Sequence, residues 1–309
     1  MATYGHIPVL LEAVVEALRP RDGGCYADGT VGGGGHAEAI LLRSAPGGRL
    51  YGFDRDGDAL EAAGARLARF GNRVELRRAN FSEMAEWLPE GSCDGVLLDL
   101  GVSSPQLDWP ERGFSFTADG PLDMRQDQRQ GLTAAGLVNT LSAAELAELF
   151  WRYGEAKHAR RVARAIEQER ARQPIATTRE LAELIERVVP RRGQRIHPAT
   201  QVFQALRMAV NDELGSLERG LEAALRVLRP GGRLAVITFH SLEDRVVKAF
   251  GRAQCRDYEV EGDVDVPELR RPRIPRMMWV ERKAVRASED EVRRNPRSRS
   301  AQLRVLEKT

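Results

Sequence analysis

Asp28-Gly-Thr-Val-Gly-Gly-Gly-Gly-His36 lies between Gly-Cys-Tyr-Ala27 and Ala37-Glu-Ala-Ile-Leu-Leu. Cys25, Tyr26 and Ala27 read as a short buried strand and Ala37 to Arg43 as a helix, so the glycines occupy a strand-to-helix turn. Glycine tolerates positive φ and lets backbone approach a ligand, while the helix start presents unpaired N–H groups. A flexible linker has the same glycine content but is not flanked by an apolar strand and an amphipathic helix. The turn therefore reads as a ligand site.

The turn contains Gly32-x-Gly34-x-x-Ala37, the loose form of the dinucleotide fingerprint, which admits a nicotinamide or flavin cofactor beside a nucleoside one. About 20 residues after the glycines, the strand-like run Arg49-Leu-Tyr-Gly-Phe53 ends in Asp54, where a ribose-binding carboxylate belongs. Asp54 fits that role better than Asp56. The structural alternative is that one of the two aspartates caps the helix read from Asp58 to Phe70.

The 309 residues suffice for an elaborated α/β domain, or a core with an insert. No apolar run approaches the ~20 residues of a membrane span, and the first residues lack the regions of a signal peptide, so a cytoplasmic protein without membrane contact is expected. Cys25, Cys93 and Cys255 are odd in number and form no CxxC pair, which argues against a disulfide framework or a zinc site and for reduced core thiols. Net charge is +2, but Glu268 to Ser300 holds a surplus of arginine. That surplus fits phosphate contact or an arginine-rich solvated surface.

Taken in order, a helix over His6 to Leu18 precedes the glycine turn. The strand to Asp54, a strand over Arg73 to Leu76, a short helix over Ser82 to Leu88 and a strand over Cys93 to Leu100 continue a β-α-β-α alternation. This predicts a parallel, doubly wound α/β sheet with its ligand at the carboxyl ends of the strands, where Asp99 and Gly101 to Gln106 fall. From Leu107 to Arg195 no convincing strand occurs, which predicts an inserted all-helical domain (107–195) between two parts of the core (1–106 and 196–309). Trp109 to Arg129 reads as a long irregular loop. Ser142-x-x-Glu145 and Thr177-x-x-Glu180 are capping boxes, and Glu155 to Gln173 reads as a further helix. Arg191-Arg-Gly-Gln-Arg195 makes a basic loop. Thr200 to Val227 reads as one long helix before a fifth strand, Arg233 to Phe239. Segments near Met277 to Lys283 and Ala301 to Glu307 suit a pair of terminal strands.

A helix ending in Leu-x-Pro-Gly-Gly before a strand, downstream of a glycine turn and an acid-tipped second strand, resembles class I S-adenosylmethionine-dependent methyltransferases with their Rossmann-like sheet. A closer set runs nearly end to end: His6-x-Pro-Val-Leu-Leu, Asp28-Gly-Thr-x-Gly-x-Gly-Gly-His36, Leu97-Leu-Asp-Leu-Gly-Val-Ser-Ser-Pro-Gln106, Arg112-Gly-Phe-Ser-Phe116, Gly120-Pro-Leu-Asp-Met-Arg125, His197-Pro-Ala-Thr200, Phe239-His-Ser-Leu-Glu-Asp-Arg245 and Asn295-Pro-Arg-Ser-Arg-Ser300. Together they resemble the RsmH/MraW family of bacterial 16S rRNA (cytosine-N4)-methyltransferases. Gly33 is the one visible variation, since some relatives carry a larger residue there. The resemblance implies methyl transfer from S-adenosylmethionine to the exocyclic amine of a cytidine in the decoding (P-site) region of 16S rRNA, within the small ribosomal subunit. It implies cofactor contacts at Gly34, Gly35, His36, Asp54, Phe81, Asp99 and Gln106. Phe81 and Gln106 come from the resemblance alone.

Transfer to a cytosine amine needs positioning and a proton acceptor but no covalent nucleophile, whereas attack from ring carbon 5 needs an activated cysteine. Ser103-Ser-Pro-Gln106 is partly like the Asn/Asp-Pro-Pro-aromatic tetrad of many amino-methyltransferases. Ser104 and Pro105 are therefore substrate candidates, or residues that shape the loop. His240 and Ser241, after the fifth strand, are substrate candidates or helix caps. The residue that accepts the proton is not identifiable in the sequence. Two further readings stand beside the methyltransferase one: a nicotinamide-dependent oxidoreductase, and a noncatalytic RNA-binding factor of ribosome assembly.

Overall fold

The structure, a computed structural model, describes residues 7–190, 197–261 and 264–309. The basic loop Arg191 to Arg195 and His6 lie outside the described residues. The chain divides into two compact units, one of Met1–Gly101 with Leu214–Thr309 and one of Val102–Glu213.

In the first unit α1 (Leu11–Leu18) leads into β1 (Cys25–Asp28), α2 (Gly35–Arg43), β2 (Arg49–Asp54), α3 (Gly57–Leu67), β3 (Val74–Arg78), α4 (Met84–Trp87) and β4 (Cys93–Asp99). α1 is shorter than the expected helix because Pro8 precedes it and Leu10 takes a left-handed conformation with φ 55°. β1 to β4 are parallel, in the order β3-β2-β1-β4. The central strands β1 and β4 are largely apolar on both faces and alternate between two cores. Tyr26 and Leu97 face the core of α1, α2 and α3, while Ala27, Val96 and Leu98 face the core that includes Met84 of α4. That arrangement is what a sheet covered on both sides requires.

In the second unit come α5 (Ser104–Asp108), α6 (Ala134–Thr140), α7 (Ala143–Gly154), α8 (Ala159–Arg170), α9 (Thr178–Val188) and α10 (Ala199–Val210). Both expected capping boxes are formed, Ser142 with Glu145 at α7 and Thr177 with Glu180 at α9. The expected loop from Trp109 to Arg129 contains a 3-10 turn at Pro110–Arg112 and is clasped from within. Buried Arg112 donates to the carbonyls of Arg125 and Gln126, and Asn211 accepts from the Gln126 N–H and donates to the Met124 carbonyl.

The boundaries differ from 107–195 because the helix expected over Thr200 to Val227 is broken at Asn211-Asp212, where Asp212 has φ 45°. Its first half is α10, whose Val202, Phe203, Leu206 and Val210 share a core with Leu146 and Phe150 of α7. Its second half is α11 (Glu213–Val227), which joins the sheet through Leu217, Leu221 and Leu225. β5 (Leu228–Thr238) then pairs parallel with β4, and α12 (Ser241–Gln254) follows. A small antiparallel pair, β6 (Tyr258–Val260) and β7 (Arg270–Pro272), precedes β8 (Met277–Trp279), β9 (Val285–Arg286), α13 (Glu289–Arg294) and β10 (Gln302–Lys308). β10 inserts antiparallel between β5 and β8, so the two terminal segments do pair.

Candidate active site

The sheet order reverses between β1 and β4, which places the crevice for a ligand at the carboxyl ends of these two strands. The glycine turn leaves β1 there, and neighbouring strands hold it in place. Gly29 donates to the Leu97 carbonyl, Val31 donates to the Phe53 carbonyl, and the Asp99 N–H donates to Thr30 Oγ1 at 2.6 Å. Gly34 has φ 80° and precedes α2 without a side-chain cap, so the first N–H groups of that helix meet no capping side chain. A Cβ at Gly35 would run into Pro8.

Asp54 closes the turn from β2. One of its carboxylate oxygens accepts from the Gly32 N–H and the other from the Asp56 N–H, both at 2.9 Å. Asp56, not Asp54, caps α3 by accepting from the Asp58 N–H. Burial pushes the Asp54 carboxyl up to about 6.

Asp99 ends β4 with a carboxylate oxygen, Oδ1, that is buried and has no hydrogen-bond partner among the described residues. Burial, reinforced by the nearby charges of Asp28 and Glu243, holds its carboxyl well above the usual carboxylate range. Its other oxygen faces His36 Nδ1 at 3.6 Å. His36 Nε2 lies 2.9 Å from the Val9 carbonyl, and a carbonyl only accepts, so Nε2 carries the hydrogen and Nδ1 is turned to the carboxyl.

Asp28 was not singled out from the sequence. It is 1% exposed, accepts from the Thr30 N–H, and is pushed by burial up to about 7. The signal was present in an acid closing an apolar strand directly before glycine. Glu243 is a second buried acid not foreseen, and it accepts from the Phe239 N–H.

The remaining candidates are divided between the two units. Phe81 follows β3, with its ring against Gly220 of α11 and its Cβ beside Gly29. His240 caps α12, Nδ1 accepting from the Glu243 N–H, and Ser241 begins that helix. Ser104, Pro105 and Gln106 are buried in α5 of the helical unit, where Ser103 and Gln106 form a capping box. Cys25 and Cys93 open β1 and β4 at the ends opposite the glycine turn. They interact with each other, and all three cysteines are free.

Comparison with known proteins extends these observations over the whole chain. The profile of the MraW methylase family matches residues 3–309. The chain belongs to this family. It is 52% identical to the ribosomal RNA small subunit methyltransferase H of Syntrophotalea carbinolica, over 98% of each chain. It is 54% identical to the protein of that name from Symbiobacterium thermophilum, over 99% of this chain and 97% of that one. Membership sets the nicotinamide reading aside. The sheet adds a physical reason for a nucleoside donor: the acid that ends β2 and the buried acceptor that ends β4, without a partner among the described residues, flank a glycine turn in which Gly35 has no room for a side chain.

Proposed function

We propose that this enzyme methylates the exocyclic N4 amine of a cytidine in the decoding region of 16S rRNA, acting in the cytoplasm on RNA within the small ribosomal subunit. S-adenosylmethionine is the methyl donor, and when bound it supplies an electrophilic methyl on a sulfonium. The single observation that carries the reading is Asp99 Oδ1, a buried acceptor left without a partner among the described residues, beside the glycine turn in a chain of the MraW methylase family. A buried oxygen of this kind costs about 1–3 kcal/mol unless a ligand completes it.

The residues of the sheet unit divide the work. Gly34 and Gly35 admit the donor to the backbone, His36 orients the Asp99 carboxyl, Asp54 accepts from ribose hydroxyls, and Phe81 offers an apolar face to the base. The cytosine amine is a poor nucleophile because its lone pair is delocalised into the ring. Holding it in line with the methyl, with a base or water placed to accept its proton, is therefore the main task. Gln106 completes the donor site, and Ser104, Pro105, His240 and Ser241 are assigned to the substrate side. The helical unit holds RNA, since a cytidine has to be kept out of its stack during transfer.

The test is incubation with methyl-labelled S-adenosylmethionine and, separately, free 16S rRNA and small subunits. Label is expected in the RNA, with small subunits the better substrate. Absence of label from both would leave the protein as a noncatalytic RNA-binding factor.

A further inference from the structure

Within the helical unit, α7 and α8 enclose a groove of roughly 880 Å³. α7 contributes Trp151, which is 65% exposed. The turn into α8 and α8 itself contribute Lys157, His158, Arg160, Arg161 and Arg164, all exposed. Among the described residues lining the groove, Glu148 is the only acid. Also among the described residues, the side chains of Lys157, Arg160, Arg161 and Arg164 have no ion pair or hydrogen bond.

Neither feature serves the fold. A large indole left in water forfeits the burial that a core tryptophan provides. Arg160 and Arg164 are like charges four residues apart on α8, a spacing that destabilises a helix, and Lys157 in the preceding turn adds a further cation. In the basic carboxyl-terminal segment Arg270 pairs with Asp265, Arg271 with Glu261 and Arg293 with Asp290, and Trp279 is only partly exposed. Among the described residues, Lys157, Arg160, Arg161 and Arg164 thus set four cations without an ion pair around the exposed ring of Trp151.

We propose that this groove binds a single-stranded stretch of the RNA substrate, with Trp151 stacked on a base and the α8 cations on flanking phosphates. The inference rests on the RNA methyltransferase reading and adds to it the surface that grips the substrate. Stacking accepts any base and the cations track the backbone, so the groove supplies affinity while base choice is made at the donor site.

The test measures binding of a fluorescein-labelled single-stranded RNA 12-mer, and methyl transfer to free 16S rRNA and to small subunits, for the full-length chain. Trp151→Ala should raise the 12-mer Kd about ten-fold, as expected when one base loses its stacking partner, and Trp151→Phe should restore most of the affinity. Changing Arg160, Arg161 and Arg164 together to Ala should flatten the slope of log affinity against log salt by about 0.7 for each phosphate no longer neutralised. Both variants should raise KM for RNA with kcat and S-adenosylmethionine affinity unchanged. Parental affinity and salt slope in both would overturn the proposal. So would impaired binding to small subunits with 12-mer and free-RNA binding intact, which would assign the groove to a ribosomal protein. If the parent transfers no methyl to any RNA while its 12-mer binding responds as expected, the groove stands and the methyltransferase reading fails instead.

Discussion

Asp54 and Asp28 are both acids at strand ends, yet the structure gives them different work. Asp54 spends one lone pair on Gly32 and one on Asp56, which holds the turn against β2 and leaves acceptor capacity for ribose. Asp54→Ala should weaken S-adenosylmethionine binding by about 1.5–3 kcal/mol, the range for a hydrogen bond to a charged group. Isothermal titration on a variant with parental circular dichroism checks this, and unchanged affinity would remove Asp54 from the donor site. Asp28 is a stability residue as well as a site residue. Its carboxyl ionises near 3.8 in the unfolded chain and at about 7 in the folded one, so the folded state holds the extra proton between those values. Stability from this group is therefore greatest at the acid end of that window and falls as pH rises towards about 7. Asp28→Asn should flatten the fall and make the protein more stable than the parent at pH values above about 7, read as urea midpoints across the range. Asp54 and Asp99 shift in the same direction and will leave a residual slope. An unaltered pH dependence would mean that Asp28 is not buried as described.

The elements were legible in the sequence where a local rule sufficed. β1, β2 and β4 followed from apolar runs closed by acids, and α7 and α9 from capping boxes whose partners are three residues apart. α10 was not, because amphipathic spacing identifies an apolar face but not the core that receives it, and the break at Asn211-Asp212 carries no glycine or proline. The clasp of the loop after α5 was equally hidden. Arg112 is buried by bonding to backbone carbonyls, which leaves no periodic trace. Arg112→Ala should destabilise the chain by about 1–3 kcal/mol through carbonyls left unpaired, seen as a lower Tm. A parental Tm would show that the loop is held by other groups. The strand starts give a further expectation. Cys25 and Cys93 lie at the amino ends of β1 and β4, away from the glycine turn, so replacement of all three cysteines by alanine should retain methyl transfer while lowering stability. Abolished turnover in a folded triple variant would reopen a covalent route.

Over the whole chain, net charge said little about the partner because +2 averages a basic carboxyl-terminal segment against acidic surroundings. Arg270, Arg271 and Arg293 of that segment are paired, while Arg160, Arg161 and Arg164 of α8 have no ion pair among the described residues. The glycine turn, Asp54 and Asp99 could be read from residue type and spacing; Phe81 and Gln106 came only through family resemblance. The pairing of His36 with the Asp99 carboxyl needed coordinates, since it joins a helix start to a strand end 63 positions away in sequence (99 − 36). The central claim is that these residues deliver a methyl group to a cytidine amine without a covalent nucleophile. The direct measurement is mass spectrometry of nucleosides digested from 16S rRNA after reaction with methyl-labelled S-adenosylmethionine. Label is expected as N4-methylcytidine, reduced by Asp54→Ala and retained in the triple cysteine variant. Label at ring carbon 5 of cytosine, or on any other base, would contradict it.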